Sequence, residues 1–76
     1  LYLEIITPDN VLYTGEVSAV QLPGSKGSFE VLQNHAAIIS SLEKGRIRVK
    51  DASGTHFFDI SGGIVEVLKN NIIVLT

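Results

Sequence analysis

Two histidines, His35 and His56, are the side chains of this sequence best suited to proton transfer near neutral pH. His35 follows Asn34 in the stretch GSFEVLQNHAAII, just after a glycine-containing turn. As a general base it would need a nucleophile or a substrate pocket around it. Ser28, Ser40 and Asp59 are present, but their spacing supports no triad, so enzyme chemistry is not expected. Metal sites announce themselves by closely spaced paired ligands. The histidines lie in different halves of the chain with scattered acidic residues between them, and neither a metal nor a cofactor is expected. By its residues alone, His35 reads as a bend residue that hydrogen-bonds locally, with contact to a partner as the second reading.

The stretch PGSKGSF carries glycines and a lysine, as phosphate loops do. A phosphate loop has the spacing G-x-x-x-x-G-K-S/T and opens a helix. Here Lys26 precedes Gly27, Gly24 is too close, and a strand-like run follows, so a glycine-rich β-turn is the better reading. Lys26 at such a tip also invites comparison with the modified lysine of biotinyl or lipoyl carrier domains. Those domains flank the lysine with Met or Ala, whereas Ser25 and Gly27 flank this one. Arg46, Arg48 and Lys50 form a basic stripe by strand alternation. A solvated, edge-protecting face accounts for it, with docking of an acidic partner as the alternative.

These residues must be positioned by few elements. Seventy-six residues make one small domain spanning the whole chain, positions 1–76. There is no cysteine, hence no disulfide framework and no thiolate chemistry. Hydrophobic residues make up 45% and charged ones 18%, enough apolar surface to fold and little self-repulsion. A net charge of −2 argues against a nucleic-acid partner, which needs a basic surface. No apolar run reaches the roughly 18 residues of a membrane helix. The opening LYLEIITPDN lacks the features of a signal peptide, and it lacks an initiator Met, as a piece of a longer chain would. A soluble, intracellular domain is the expectation.

The periodicity is that of strands. Leu3, Ile5 and Ile6 open a β-rich run that TPDN ends. In VLYTGEVSAVQL, Val11, Tyr13, Val17 and Ala19 share one parity, Val20 and Leu22 the other. A bulge or bend at Gly15 would reverse which parity faces the core. SFEVL is a short strand and QNHA a bend. AIISS is ambiguous between strand and helical turn, with Ile38 and Ile39 favouring strand. GRIRVKDASGTHFFDI reads as a hairpin with Ile47 and Val49 inward. A kink at SGG precedes IVEVLK, a tight turn at Asn70 and Asn71, and IIVLT. The sum is an all-β, two-sheet β-sandwich or a barrel of about eight to ten short strands.

The ordered motifs TPD, YTGEV, PGSKGSF, NHA, GRIRV, SGGIVEV and N-x-I-x-VL, running from Leu3 to Leu75, resemble the N-terminal domain of the F-type ATP synthase epsilon subunit. Its mitochondrial counterpart is the delta subunit. The resemblance implies a β-sandwich and a non-enzymatic rotor subunit of the central stalk. Such a subunit joins the gamma subunit to the polar loops of the membrane c-ring and couples proton or sodium flow to ATP synthesis. It implies a peripheral location on the cytoplasmic face of the bacterial inner membrane, or the equivalent face in an organelle, and no cofactor. By position, Ser25, Lys26, Gly27, Ser28, Phe29 and Glu30 are expected at the c-ring. Thr7, Asn34, His35, Ala36 and Ser40 are expected towards gamma or the gamma/c-ring junction, and Phe29 is expected to be buried. His35 then becomes a bend residue at an assembly interface. The family often reads G-x-L-P-N-H-A-P-L where this chain has Glu30, Gln33 and Ala37 in place of a glycine and two prolines, so a looser bend is expected. The C-terminal helical hairpin of many epsilon subunits is absent from the sequence, and with it any expectation of nucleotide binding or inhibition.

Overall fold

In the computed structural model, which describes residues 1–76, nine strands form two stacked sheets. They are β1 (Tyr2–Ile6), β2 (Val11–Glu16), β3 (Ala19–Leu22), β4 (Phe29–Val31), β5 (Ile38–Leu42), β6 (Gly45–Asp51), β7 (Gly54–Ile60), β8 (Gly63–Leu68) and β9 (Asn71–Leu75). One sheet has the order β2-β1-β9-β8-β5 and the other β4-β3-β6-β7. The two-sheet all-β architecture read from the sequence is therefore the observed one, and AIISS resolves as strand. Every pairing is antiparallel except β1 with β9, which run parallel side by side inside the five-stranded sheet.

Alternation fixes which side chains fill the space between the sheets, because successive residues of a strand point to opposite faces. Leu3 and Ile5 of β1, Val65 and Val67 of β8, and Ile72 and Val74 of β9 point inward from the five-stranded sheet. Val20 and Leu22 of β3, Val31 of β4, and Ile47 and Val49 of β6 meet them from the other. Full burial of a Val, Leu or Ile side chain contributes about 1.5–3 kcal/mol each. With no buried charged residue and no unsatisfied buried side-chain polar atom, this core needs neither disulfide nor metal.

Two local expectations require correction. The irregularity between β1 and β2 is not at Gly15, which stays in register opposite Leu3. It falls where Ile6 pairs with Val11, leaving Leu12 as the extra residue. That bulge sends Val11 outward, 59% exposed, while Tyr13 turns in against the core. The parity change occurs further on, at residues 17–18, where the chain leaves one sheet for the other. Second, the tight turn before β9 is Lys69-Asn70, with φ of +51° and +63°, and not Asn70-Asn71. Leu68 pairs with Asn71, so the loop has two residues, and such a loop takes consecutive positive φ angles to match the strand twist.

Strand directions sort the connections into two ends. The first end gathers residues 7–10, 23–28, 43–44 and 61–62. The second gathers residues 17–18, 32–37, 52–53 and 69–70. Gly63 stands at the first end, with φ of +151°, where a Cβ would collide with the carbonyl oxygen of Leu75. Only glycine lets β8 lie this close to β9 there.

Candidate assembly interface

The glycine-rich turn at the first end is rigid in its stem and open at its tip. Gly24 N–H donates to the Leu22 carbonyl and Gly27 N–H to the Gly24 carbonyl, both at 3.0 Å. The stem is tied to β5 and the residue after it, where Ser25 N–H donates to the Ser41 carbonyl at 3.0 Å and Glu43 N–H to the Pro23 carbonyl at 2.9 Å. The Ser41 hydroxyl adds a bond of 2.9 Å to the Ser25 hydroxyl. The half-buried Phe29 ring lies over Gly24, against the core, where any side chain at 24 would strike it. Ser25, Lys26, Gly27 and Ser28 remain exposed. Glu30 follows on β4, exposed, and its carboxylate accepts from Arg48 at 3.2 Å on the outer face of the four-stranded sheet.

The second set of expected residues is divided between the ends. Thr7 sits at the first end, where its N–H donates to the Asn10 carbonyl at 2.8 Å and its hydroxyl accepts from Asn10 N–H at 2.9 Å. Asn34, His35 and Ala36 sit at the second. There His35 N–H donates to the Leu32 carbonyl at 3.1 Å, closing a turn with Asn34 at φ of +66°. Against the looseness expected from the missing prolines, Asn70 holds this bend. Its side-chain carbonyl accepts from Asn34 N–H at 2.7 Å, and its amide donates to the Asn34 side chain at 3.3 Å. His35 Nδ1 lies 2.8 Å from the Ala36 carbonyl, which can only accept, so Nδ1 carries a proton and serves the bend. Ser40 lies midway along the edge strand β5, half-buried, with its hydroxyl on the Ser41 carbonyl at 3.1 Å.

A further polar cluster escaped sequence reasoning. Asp51 Oδ2 accepts from the Tyr13 hydroxyl at 2.6 Å. Asp51 Oδ1 accepts from the Ser53 N–H and hydroxyl at 2.9 and 2.7 Å, and lies 3.0 Å from His56 Nε2. The composition is that of a hydrolytic triad, but the geometry is not. A triad uses opposite ring nitrogens for acid and nucleophile. Here Ser53 and Asp51 share Nε2, and the serine proton goes to the carboxylate. The cluster instead clasps the sandwich, joining Tyr13 of β2 in one sheet to the β6–β7 hairpin of the other. Burial, then the hydrogen bond and charge of Asp51, push the Tyr13 hydroxyl up to about 12. The Tyr13 and Ser53 hydrogen bonds hold the Asp51 carboxyl well below the usual carboxylate range. The sequence signal was the two-residue hairpin DASG, whose register sets Asp51 opposite Gly54 and brings His56 round to it. No grouping of three or more His, Asp or Glu side chains is arranged to hold a metal.

The two outer faces differ in kind. On the four-stranded sheet Arg46 pairs with Asp59 at 3.1 Å and stacks over Phe57 at 5.4 Å, beside the Arg48–Glu30 pair. The five-stranded sheet leaves Ile39, Ile64, Leu68 and Leu75 exposed and unpartnered. At the first end this face runs into an open apolar cleft walled by Ile6, Leu12, Ile60 and Leu75, with Thr7 and Ser61 on its polar rim.

The fold and surface define a small all-β sandwich domain with one apolar sheet face left open between two tied-down loop ends. The family described as ATP synthase, Delta/Epsilon chain, beta-sandwich domain matches residues 1–76, and the chain belongs to that family. Similar relatives are proteins named ATP synthase epsilon chain. That of Caulobacter vibrioides is 40% identical over 75 residues, covering 99% of this chain and 87% of its own length. That of Leptospira interrogans is 36% identical over 76 residues, covering 100% and 60%. That of Campylobacter jejuni is 47% identical over 73 residues, covering 95% and 57%. The chain thus spans little more than half the length of several relatives. Its fold also matches a chain of the Euglena gracilis mitochondrial ATP synthase with a TM-score of 0.89 at 23% identity, over 97% of this chain and 48% of that one. A chain from the central stalk and c-ring of the Tetrahymena thermophila mitochondrial enzyme matches with a TM-score of 0.83 at 16% identity, over 97% and 60%. At these identities the structural matches speak to fold alone.

Proposed function

We propose that this chain serves as a non-catalytic rotor module of an F-type ATP synthase, joining the gamma subunit to the polar loops of the c-ring. Through that joint the flow of protons or sodium ions through the ring reaches the catalytic head. The module sits peripherally at the membrane, on the cytoplasmic face in a bacterium or its organellar equivalent. The observation that carries this reading is the pairing of an anchored, small-residue tip with an open apolar sheet face on a family member of known kind. The tip, Ser25 to Ser28, has a stem fixed by main-chain bonds and exposed polar side chains, which suits seating against polar loops. Thr7, at the same end, belongs to that seat or its margin. The bend at Asn34, His35 and Ala36, with Ser40 along β5, borders the side that meets gamma. Phe29 supports the tip from behind, and Glu30, paired with Arg48 on the outer sheet face, flanks it.

Co-purification tests the reading. The chain is expected to be retained by a gamma/c-ring assembly, and failure to bind gamma at micromolar concentration would contradict it. Ser28→Trp is expected to weaken coupling of ion flow to synthesis in membranes while leaving the isolated domain folded. Normal coupling with this variant would remove the turn from the contact.

A further inference from the structure

We infer that the outer face of the five-stranded sheet receives an amphipathic helix of the stalk partner, lying along β9 and carrying basic residues on both flanks of its apolar stripe. The inference rests on the rotor-module reading and specifies the chemistry of its side contact. In register, Glu4, Ile73 and Glu66 form one row across this face, with Ile39 at its edge. The neighbouring row runs Ile6, Leu75, Ile64. The face is therefore an apolar seam along β9, with one carboxylate on each side of it.

Neither Glu4 nor Glu66 has an ion-pair partner within the chain. Glu16, opposite Tyr2 on the edge strand β2, is a third carboxylate on this face, and it lies 3.5 Å from the N-terminal ammonium of Leu1. The contrast with the opposite face is internal to the molecule, since Glu30 and Asp59 there each have an arginine. Glu4 is also half-buried, a position where a lone carboxylate gains from an incoming cation. Two strand spacings put the carboxylates roughly 10 Å apart. An α-helix with its side chains is about 10–12 Å across. A helix seated on Ile73 and Leu75 would thus hold its flanking Lys or Arg side chains directly over the two acids. An acidic or uncharged helix would leave both carboxylates desolvated and unpaired, which disfavours it.

The absence of cysteine makes the test clean, because a single introduced thiol reports on one place. Ile64→Cys marks the open face and Phe57→Cys the opposite one, each on the full chain titrated with purified gamma subunit. Maleimide labelling at position 64 is expected to fall on binding while labelling at 57 persists. Glu4→Gln/Glu66→Gln is expected to raise Kd about tenfold and to flatten its salt dependence, with an unchanged unfolding midpoint. Arg46→Gln/Arg48→Gln should change neither. Binding of gamma with Kd and salt dependence unaffected by the Glu4/Glu66 change would overturn this inference and leave the rotor-module reading standing. Protection of position 57 and not 64 would overturn it equally, as would burial of position 64 in the chain alone through self-association. No binding of gamma by the unaltered chain would remove the reading beneath it.

Discussion

The outer faces of the two sheets come from the same alternating pattern yet reach opposite states. On the four-stranded sheet the outward positions of β6 are Arg46, Arg48 and Lys50; Arg46 finds Asp59 on the adjacent β7, and Arg48 reaches across β3 to Glu30 on β4. On the five-stranded sheet the outward positions of β8 and β9 include Ile64, Leu68, Ile73 and Leu75, and their neighbours Glu4 and Glu66 are left without a cation. The first face pairs both of its arginines within the chain and leaves Lys50 and the Phe57 ring to solvent. The second is a surface whose apolar area and charges both call for something supplied from outside. Strand alternation decides what points outward, and pairing across strands decides which of those charges are satisfied within the chain.

The largest effect should come from undoing the clasp that holds the two faces at their fixed separation. Asp51→Ala removes the shared acceptor of the Tyr13 and Ser53 hydroxyls and the partner of the His56 ring, and an equilibrium denaturation series should show the largest loss of stability among the substitutions named below. Tyr13→Phe keeps the ring against Phe58 and removes a single bond, so about 1 kcal/mol is expected from the same measurement.

The pH profile sharpens the point. The Asp51 carboxyl is lowered on folding, so its contribution is fully present above the unfolded value near pH 4 and declines as pH falls below it. Tyr13 is raised to about 12, so its contribution is complete below its unfolded value of 10.0 and is lost as pH climbs from there towards 12. Across neutral pH these two groups should leave stability flat, and a steep slope between pH 6 and 8 under thermal scanning would show that they do not dominate. The smallest effect should be Arg46→Gln, where an exposed pair and a stacked ring are worth only about 0.5–1 kcal/mol.

Much of this architecture is legible from alternation alone. GRIRVKDASGTHFFDI announces a hairpin because Ile47 and Val49 recur at period two and DASG supplies its turn, and both residues are fully buried. The ambiguous AIISS becomes a strand because Ile38 can pack on the core while its register with Val67 is satisfied by β8. Features that depend on more than one strand were not legible. The Leu12 bulge is set by how β2 meets β1, and the clasp at Asp51 requires two sheets to be stacked before Tyr13 can reach it. Likewise Thr7 and His35 look like members of one set by motif, and only strand direction separates them to opposite ends. Their contacts with partners are the part of the candidate site that no arrangement within one chain can display.

Site-directed labelling of the assembled complex reads both contact surfaces at once. Single cysteines at Ser28, Ile64 and Phe57 would be introduced one at a time into an ATP synthase containing this chain and treated with maleimide in membranes. The tip at 28 and the open face at 64 are expected to be shielded by their partners while 57 reacts freely. Free reaction at both 28 and 64 in a coupled, intact complex would contradict it.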